Sequence, residues 1–218
     1  MSNKCEQIHA FLNNLTRFVY PYDENYLPKN GIYVQFEKNE FAHSYDRIVR
    51  IGTHDGQNNL KQRIFEHFKI EGIRSVFRRK IRCAIVNQNI KSGFSNWTQE
   101  DLKDCGISKI GEAKRRLQAK GKWKEIDEIL SEYIIDNVSF ACIEVNNHRD
   151  RKLFESRLIS TISNCSECKN TDKWLGIYST TEKVRYSGLW QEKELWKDDF
   201  SDFEFENFIK ILEISRKM

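Results

Sequence analysis

Proline is nearly absent: only Pro21 and Pro28 interrupt the 218 residues. Each breaks a helix, and together they end an amphipathic stretch that spans residues 4–20. No run of 18 apolar residues is present, which argues against a membrane-spanning helix. The opening MSNKCEQIHAFLNNL lacks a charged-then-apolar layout, so a secretory leader is not expected. The six cysteines at 5, 83, 105, 142, 165 and 168 are scattered rather than closely spaced. A disulfide framework is therefore not expected, and a reduced, cytoplasmic setting is. No glycine-rich phosphate loop follows the first strand-like run, which excludes a doubly wound nucleotide-binding sheet. Internal repeats and low-complexity tracts are missing as well.

What is present is charge, unevenly laid down. Apolar residues make up 39% and charged residues 31%, enough for a buried core under a heavily charged surface. The net charge of +4 hides the distribution. Residues 69–91 hold seven Lys or Arg against one acid, Glu71, and residues 109–124 hold seven against Glu112 alone. Residues 192–206 reverse this, with seven acids against two lysines. Basic helices of this kind fit a polyanion partner, although a solvated helix face has the same composition.

The hydrophobic pattern predicts an α/β fold: a small three-stranded, mostly antiparallel sheet flanked by helices. GIYVQFE, from Gly31, alternates with Ile32, Val34 and Phe36 on one face and Tyr33, Gln35 and Glu37 on the other. RIVRIG, residues 47–52, is the second strand, joined to the first by a long polar loop, and VSFACIEV, residues 138–145, is the third. NNLKQRIFEHF, GIRSVFRRKIRCAIVNQ and RDRKLFESRLISTIS read as helices, as does the end of the chain from Asp202. KVRYSGLW reads as a short strand. Residues 91–136 are polar, lysine-rich and mostly helical, and read as an insertion or a DNA-facing subdomain. The expected organisation is an N-terminal helix and linker (1–30), a core with its insertion (31–178) and a C-terminal strand and helix (179–218).

Two pairs of chemical groups stand out. Glu155 falls within the apolar stripe of its helix, where a carboxylate is costly unless it is paired or binds a metal. Its bland partner is Arg151, one turn earlier. Arg63 and His67, also one turn apart, lie together at the margin of the stripe formed by Leu60, Ile64, Phe65 and Phe68. CSEC, Cys165 to Cys168, has the spacing of a zinc knuckle. No second Cys or His pair follows it, so two loop thiols are the expected reading. His54 reads as a turn residue and Trp174 as core.

In order along the chain come GIY, then IG closing the next strand, then Arg-x-x-x-His on a helix, then Glu in LFESRLIS. This arrangement, over roughly residues 31–175, resembles the GIY-YIG nuclease family. The resemblance implies a metal-dependent DNA endonuclease with Tyr33 as general base and Arg63 as phosphate clamp. It also implies His67 holding Tyr33 or assisting proton transfer, Glu155 binding one Mg²⁺ or Mn²⁺ ion, and Asn170 as the family asparagine, with Asn164 a rival. Arg50 stands where the family has its second tyrosine; a basic residue there suits holding the phosphate or tuning Tyr33. Duplex DNA is the implied partner, carried by Arg74, Arg78, Arg79, Lys80 and Arg82 and by Lys114, Arg115 and Arg116. The contrasting reading is an inactive nucleic-acid-binding domain that keeps the fold.

Overall fold

The computed structural model describes residues 4–68, 75–93 and 96–215. Its centre is an antiparallel sheet of β1 (Gly31–Ala42), β2 (Tyr45–Thr53) and β3 (Val138–Glu144), in the order β2-β1-β3. The three-stranded α/β architecture expected from the sequence is the one observed. Both faces of the sheet are buried, which is why β1 carries apolar residues at consecutive positions and not only at alternate ones. Ile32, Val34 and Phe36 face one core, shared with α1 (Lys4–Asn13), α7 (His148–Asn164) and α9 (Asp202–Ser215). Tyr33 faces the other core, built with α2 (Leu60–Phe68), α3 (Val76–Ser92) and α6 (Trp123–Asn137).

Glu37, buried on this second face, is fully partnered. Glu37 accepts hydrogen bonds from Trp174 Nε1 at 2.8 Å, Trp190 Nε1 at 2.9 Å and the Tyr133 hydroxyl. Burial still pushes its carboxyl above the usual range, against the pull of these donors.

The β1–β2 connection differs from the long loop read from the sequence. The strands run on to Ala42 and Tyr45, and the turn is only His43 and Ser44, with φ of 52° and 66°. Two successive positive φ values match the right-handed strand twist. Asn and Gly usually fill such a turn, and the polar residues here hid it. α1 also stops early, at Asn13. The Asn13 and Asn14 side chains bond back to the carbonyls of His9 and Ala10, and Phe18 leaves the helix to pair with Phe140 of β3.

The described residues of 91–136 are mostly helical, as expected. α4 (Gln99–Gly106) opens on a capping box of Thr98 and Asp101; α5 (Ile110–Ala119) and α6 follow. KVRYSGLW is a correction: Glu182–Ser187 form a short helix, α8, that ends on Gly188 at φ 68°. Trp190 then lies along the open edge of β2, its N–H bonded to the Val49 carbonyl at 2.8 Å. The segment covers a sheet edge without becoming a strand.

Candidate active site

The cleft forms at the edge of β2, where elements from both faces meet. Its volume is about 550 Å³, and Tyr33, Arg50, Gly52, Arg63, Arg79 and Glu155 are among its lining residues. The sheet register sets the first part. Tyr33 pairs with Gly52 and Gln35 with Arg50, so Tyr33 and Arg50 share a face. The Tyr33 ring lies on Gly52: a Cβ there would stand 2.3 Å from the Tyr33 hydroxyl oxygen and 2.5 Å from Cζ. This close approach gives the glycine of RIVRIG its function, which is to leave room for a cross-strand tyrosine.

Tyr33 is nearly sealed from solvent, and its hydroxyl lies 2.7 Å from His67 Nε2. His67 Nδ1 lies 2.8 Å from the Ser75 hydroxyl. Ser75 in turn caps α3 by accepting the Arg78 backbone N–H. The chain of groups thus runs from the centre of the sheet to a helix N-terminus. His67 is buried, and burial, followed by the charges of Arg50, Arg63 and Arg78, holds its pKa well below the ordinary value. The imidazole is neutral, with one ring nitrogen a donor and the other an acceptor.

Arg63 is half-buried, one turn before His67, and pairs with Glu66 at 3.1 Å. Burial opposes its charge, yet the Tyr33 hydroxyl and Glu66 outweigh it and raise the pKa. Arg63 and Tyr33 both line the cleft. Arg50 donates to the Trp190 carbonyl at 2.6 Å and lies 5.3 Å from the centre of the Phe77 ring.

Glu155 reaches the cleft from α7. Its Oε1 accepts the Thr53 N–H at 3.1 Å, and Oε2 is 3.6 Å from Lys152 Nζ. Arg151, the partner suggested by spacing, turns away to the carbonyls of Val145, Asn146 and Gly56. Burial raises the pKa of Glu155 despite the nearby cations. A desolvated carboxylate at the mouth of a cleft is a group that a cation stabilises.

The asparagines lie elsewhere. Asn170 bonds its neighbour Thr171 and sits near Gly188; Asn164 bonds Lys197 and Asp199 at the end of α7. The carboxamide at the cleft is Gln191, whose Oε1 accepts the Ile51 N–H at 2.9 Å. Nothing in the spacing of the chain marks it. Ser75 does carry a signal, since it stands just before a helical period.

The basic segments divide. Arg78 and Arg82 are each 1% exposed, which corrects their assignment to a DNA surface. Arg78 holds Asp127 and Ser131 of α6, and Arg82 donates to the Cys105 carbonyl and lies over Trp123. These arginines bind the helices of 91–136 to the core. Lys80 is also buried and pairs with Glu192, while Arg79 opens to the cleft. On α5, Arg115 and Arg116 are exposed and Lys114 lies near Trp123; Arg116 pairs with Glu112 and Asp104. Arg74 is outside the described residues. Both His54 and Trp174 are buried, His54 accepting the Gly31 N–H.

The GIY-YIG domain model matches residues 5–215, nearly the whole chain. The chain belongs to the GIY-YIG family. No curated protein and no solved structure matches it. The GIY-YIG match runs well beyond 31–175, so α1 and α9, which close one face of the sheet, lie within it. Family membership makes this a nuclease-family protein. Among the described residues no helix is long and apolar enough to cross a membrane.

Proposed function

We propose that this GIY-YIG protein is a divalent-metal-dependent endonuclease that hydrolyses DNA phosphodiesters in the cleft beside β2. The observation that carries the reading is the Tyr33–His67–Ser75 chain of hydrogen bonds, set beside Arg63 and opening into the cleft that Glu155 lines. Tyr33 takes the proton of the attacking water as its own phenol proton passes to the ring nitrogen of neutral His67 that faces it, and the Ser75 hydroxyl holds the other ring nitrogen and so orients the imidazole. Arg63 presents a forked guanidinium to the phosphate oxygens and to negative charge on Tyr33. Arg50, anchored on Trp190, adds positive potential at the position of the missing family tyrosine.

The donor set suits a hard cation: one desolvated carboxylate, Glu155, in a cleft open to water and phosphate oxygens. Mg²⁺ or Mn²⁺, when bound, supplies Lewis-acid polarisation of the phosphate and neutralises the leaving oxygen. Asn170 has no part in this reading, and Gln191 takes the place of a carboxamide that holds β2 in register.

The test is incubation with supercoiled plasmid in Mg²⁺, Mn²⁺ or EDTA. Nicked or linear product with either ion, and none in EDTA, is the expected result. Glu155→Gln keeps the acceptor for Thr53 and removes the charge, so it is expected to fold, bind DNA and leave plasmid intact. Binding without cleavage by the wild-type protein under every ion condition would favour the inactive nucleic-acid-binding reading.

A further inference from the structure

At the opposite end of the β1–β2 hairpin from the cleft, five metal-ligating side chains converge. Cys5 and His9 come from α1, His43 from the hairpin turn, and Cys165 and Cys168 from the loop after α7. We propose that Cys5, His43, Cys165 and Cys168 bind one structural Zn²⁺ ion, a site independent of the nuclease reading.

The spacing of the ligand atoms fits. Cys5 Sγ is 3.2 Å from Cys168 Sγ, and His43 Nε2 is 3.5 Å from Cys168 Sγ and 3.4 Å from Cys165 Sγ. The ligand atoms of Cys5, His43 and Cys168 lie within 4.8 Å of one another, with His9 alongside. Tetrahedral zinc bonds of about 2.0–2.3 Å place ligand atoms roughly 3.3–3.8 Å apart. Cys5, Cys168 and the His43 side chain are almost completely buried. The surroundings match as well. His43 Nδ1 faces Glu167 Oε2 at 3.4 Å, the carboxylate partner that fixes a metal-bound imidazole with its other nitrogen toward the ion.

The turn offers a second argument. His43 and Ser44 hold φ of 52° and 66° where asparagine and glycine are the easy choices. A histidine kept in that conformation is accounted for by what its ring does. His9 is a positioning residue. Its Nδ1 is 3.0 Å from the Cys5 carbonyl and 3.7 Å from Cys5 Sγ, and its Nε2 is 3.3 Å from the Ile48 N–H and 4.0 Å from Cys168 Sγ. Both its nitrogens are engaged with backbone.

CSEC is thus half of a site whose other half lies far earlier in the chain, Cys5 being 163 positions from Cys168. A search for a following pair misses it.

The experiment measures metal content by elemental mass spectrometry on the full chain, purified under reducing conditions without chelator. About one zinc per chain is expected, retained through EDTA dialysis and released by a mercurial that blocks thiols. Cys5→Ser and Cys168→Ser are expected to lose the metal, while Cys83→Ser, at a buried thiol outside the cluster, keeps it. Because the ligand variants can fail to fold, the wild-type protein exchanged into Co²⁺ provides a second readout. It is expected to show tetrahedral d–d bands with thiolate charge transfer, weakened in Cys165→Ser and retained in Cys83→Ser. Zinc below about 0.1 per chain with no uptake on reconstitution, or a Cys5–Cys168 disulfide in reductant, overturns the site. An unchanged cobalt spectrum in Cys165→Ser, with loss of metal in His9→Asn, overturns the choice of fourth ligand.

Discussion

His67 bridges Tyr33 and Ser75 with one ring, and its charge state can be read through pH. Its folded pKa lies well below the ordinary value because burial and the charges of Arg50, Arg63 and Arg78 disfavour the cation. The unfolded chain takes up that proton near pH ~6.5, so below this point the unfolded state binds more protons and folding loses stability. The contribution is intact above about pH 6.5 and is lost as pH falls toward the depressed folded pKa. Melting temperatures of wild type and His67→Gln, compared between about pH 5 and 7, should show a flatter acid limb in the variant. Equal slopes would mean that His67 is already charged in the folded protein. Arg63 is tested by rate. A preorganised charge acting on the transition state is typically worth about 10²-fold or more. Arg63→Ala is expected to slow single-turnover cleavage by that order while DNA affinity changes much less. Equal losses in both would reduce it to a binding residue.

At the scale of elements, the β1–β2 hairpin carries the site because one glycine leaves space for one tyrosine. Gly52→Ala places a methyl 2.3 Å from the Tyr33 oxygen, and the ring has to move. A shift of about 1 Å in a catalytic group can cost about 10²-fold in rate, with overpacking costing about 1–3 kcal/mol of stability. The expected result is a soluble, less stable protein with cleavage reduced far more than its melting temperature would suggest. An active Gly52→Ala protein would remove Tyr33 from the chemistry. The basic helices make a contrasting pair. Truncating Arg78 removes the guanidinium that pairs with Asp127 and Ser131 in the interior, and breaking a buried ion pair from one side costs about 3–5 kcal/mol. Arg78→Ala is therefore expected to destabilise the protein, as chemical denaturation will report. On α5 the double change Lys114→Ala with Arg115→Ala is expected to flatten the salt dependence of DNA binding by about one to two units of slope. An unaltered slope would show that α5 stands away from the duplex.

On the scale of the whole molecule, the sheet was legible because β1, β2 and β3 carry dense apolar and β-branched runs, and the residues converging on the cleft because GIY, IG, Arg63, His67 and Glu155 keep their order. Pattern alone could not distinguish a basic residue that faces water from one that ties helices together. Arg78, Arg79, Lys80 and Arg82 look alike in the chain, yet only Arg79 remains partly open and unburied on the cleft side. Long-range partners were equally silent: Gln191 on Ile51, and His43 beside Cys165 and Cys168, are brought together by folding and not by spacing. The covered edge of β2 carries a consequence for the order of events during synthesis. Domains assemble as the chain emerges, N-terminal parts first, and a hairpin such as β1–β2 forms locally within microseconds. Its outer edge, however, stays unsatisfied until Trp190 and Gln191 arrive to bond Val49 and Ile51. On the ribosome the cleft is therefore one wall short until residues 190–191 have been made, and a nascent chain carries the tyrosine and its histidine long before it has a finished cleft. Hydrogen exchange of stalled chains provides the check: protection of the Ile51 amide should appear only once residues 190–191 are free of the exit tunnel.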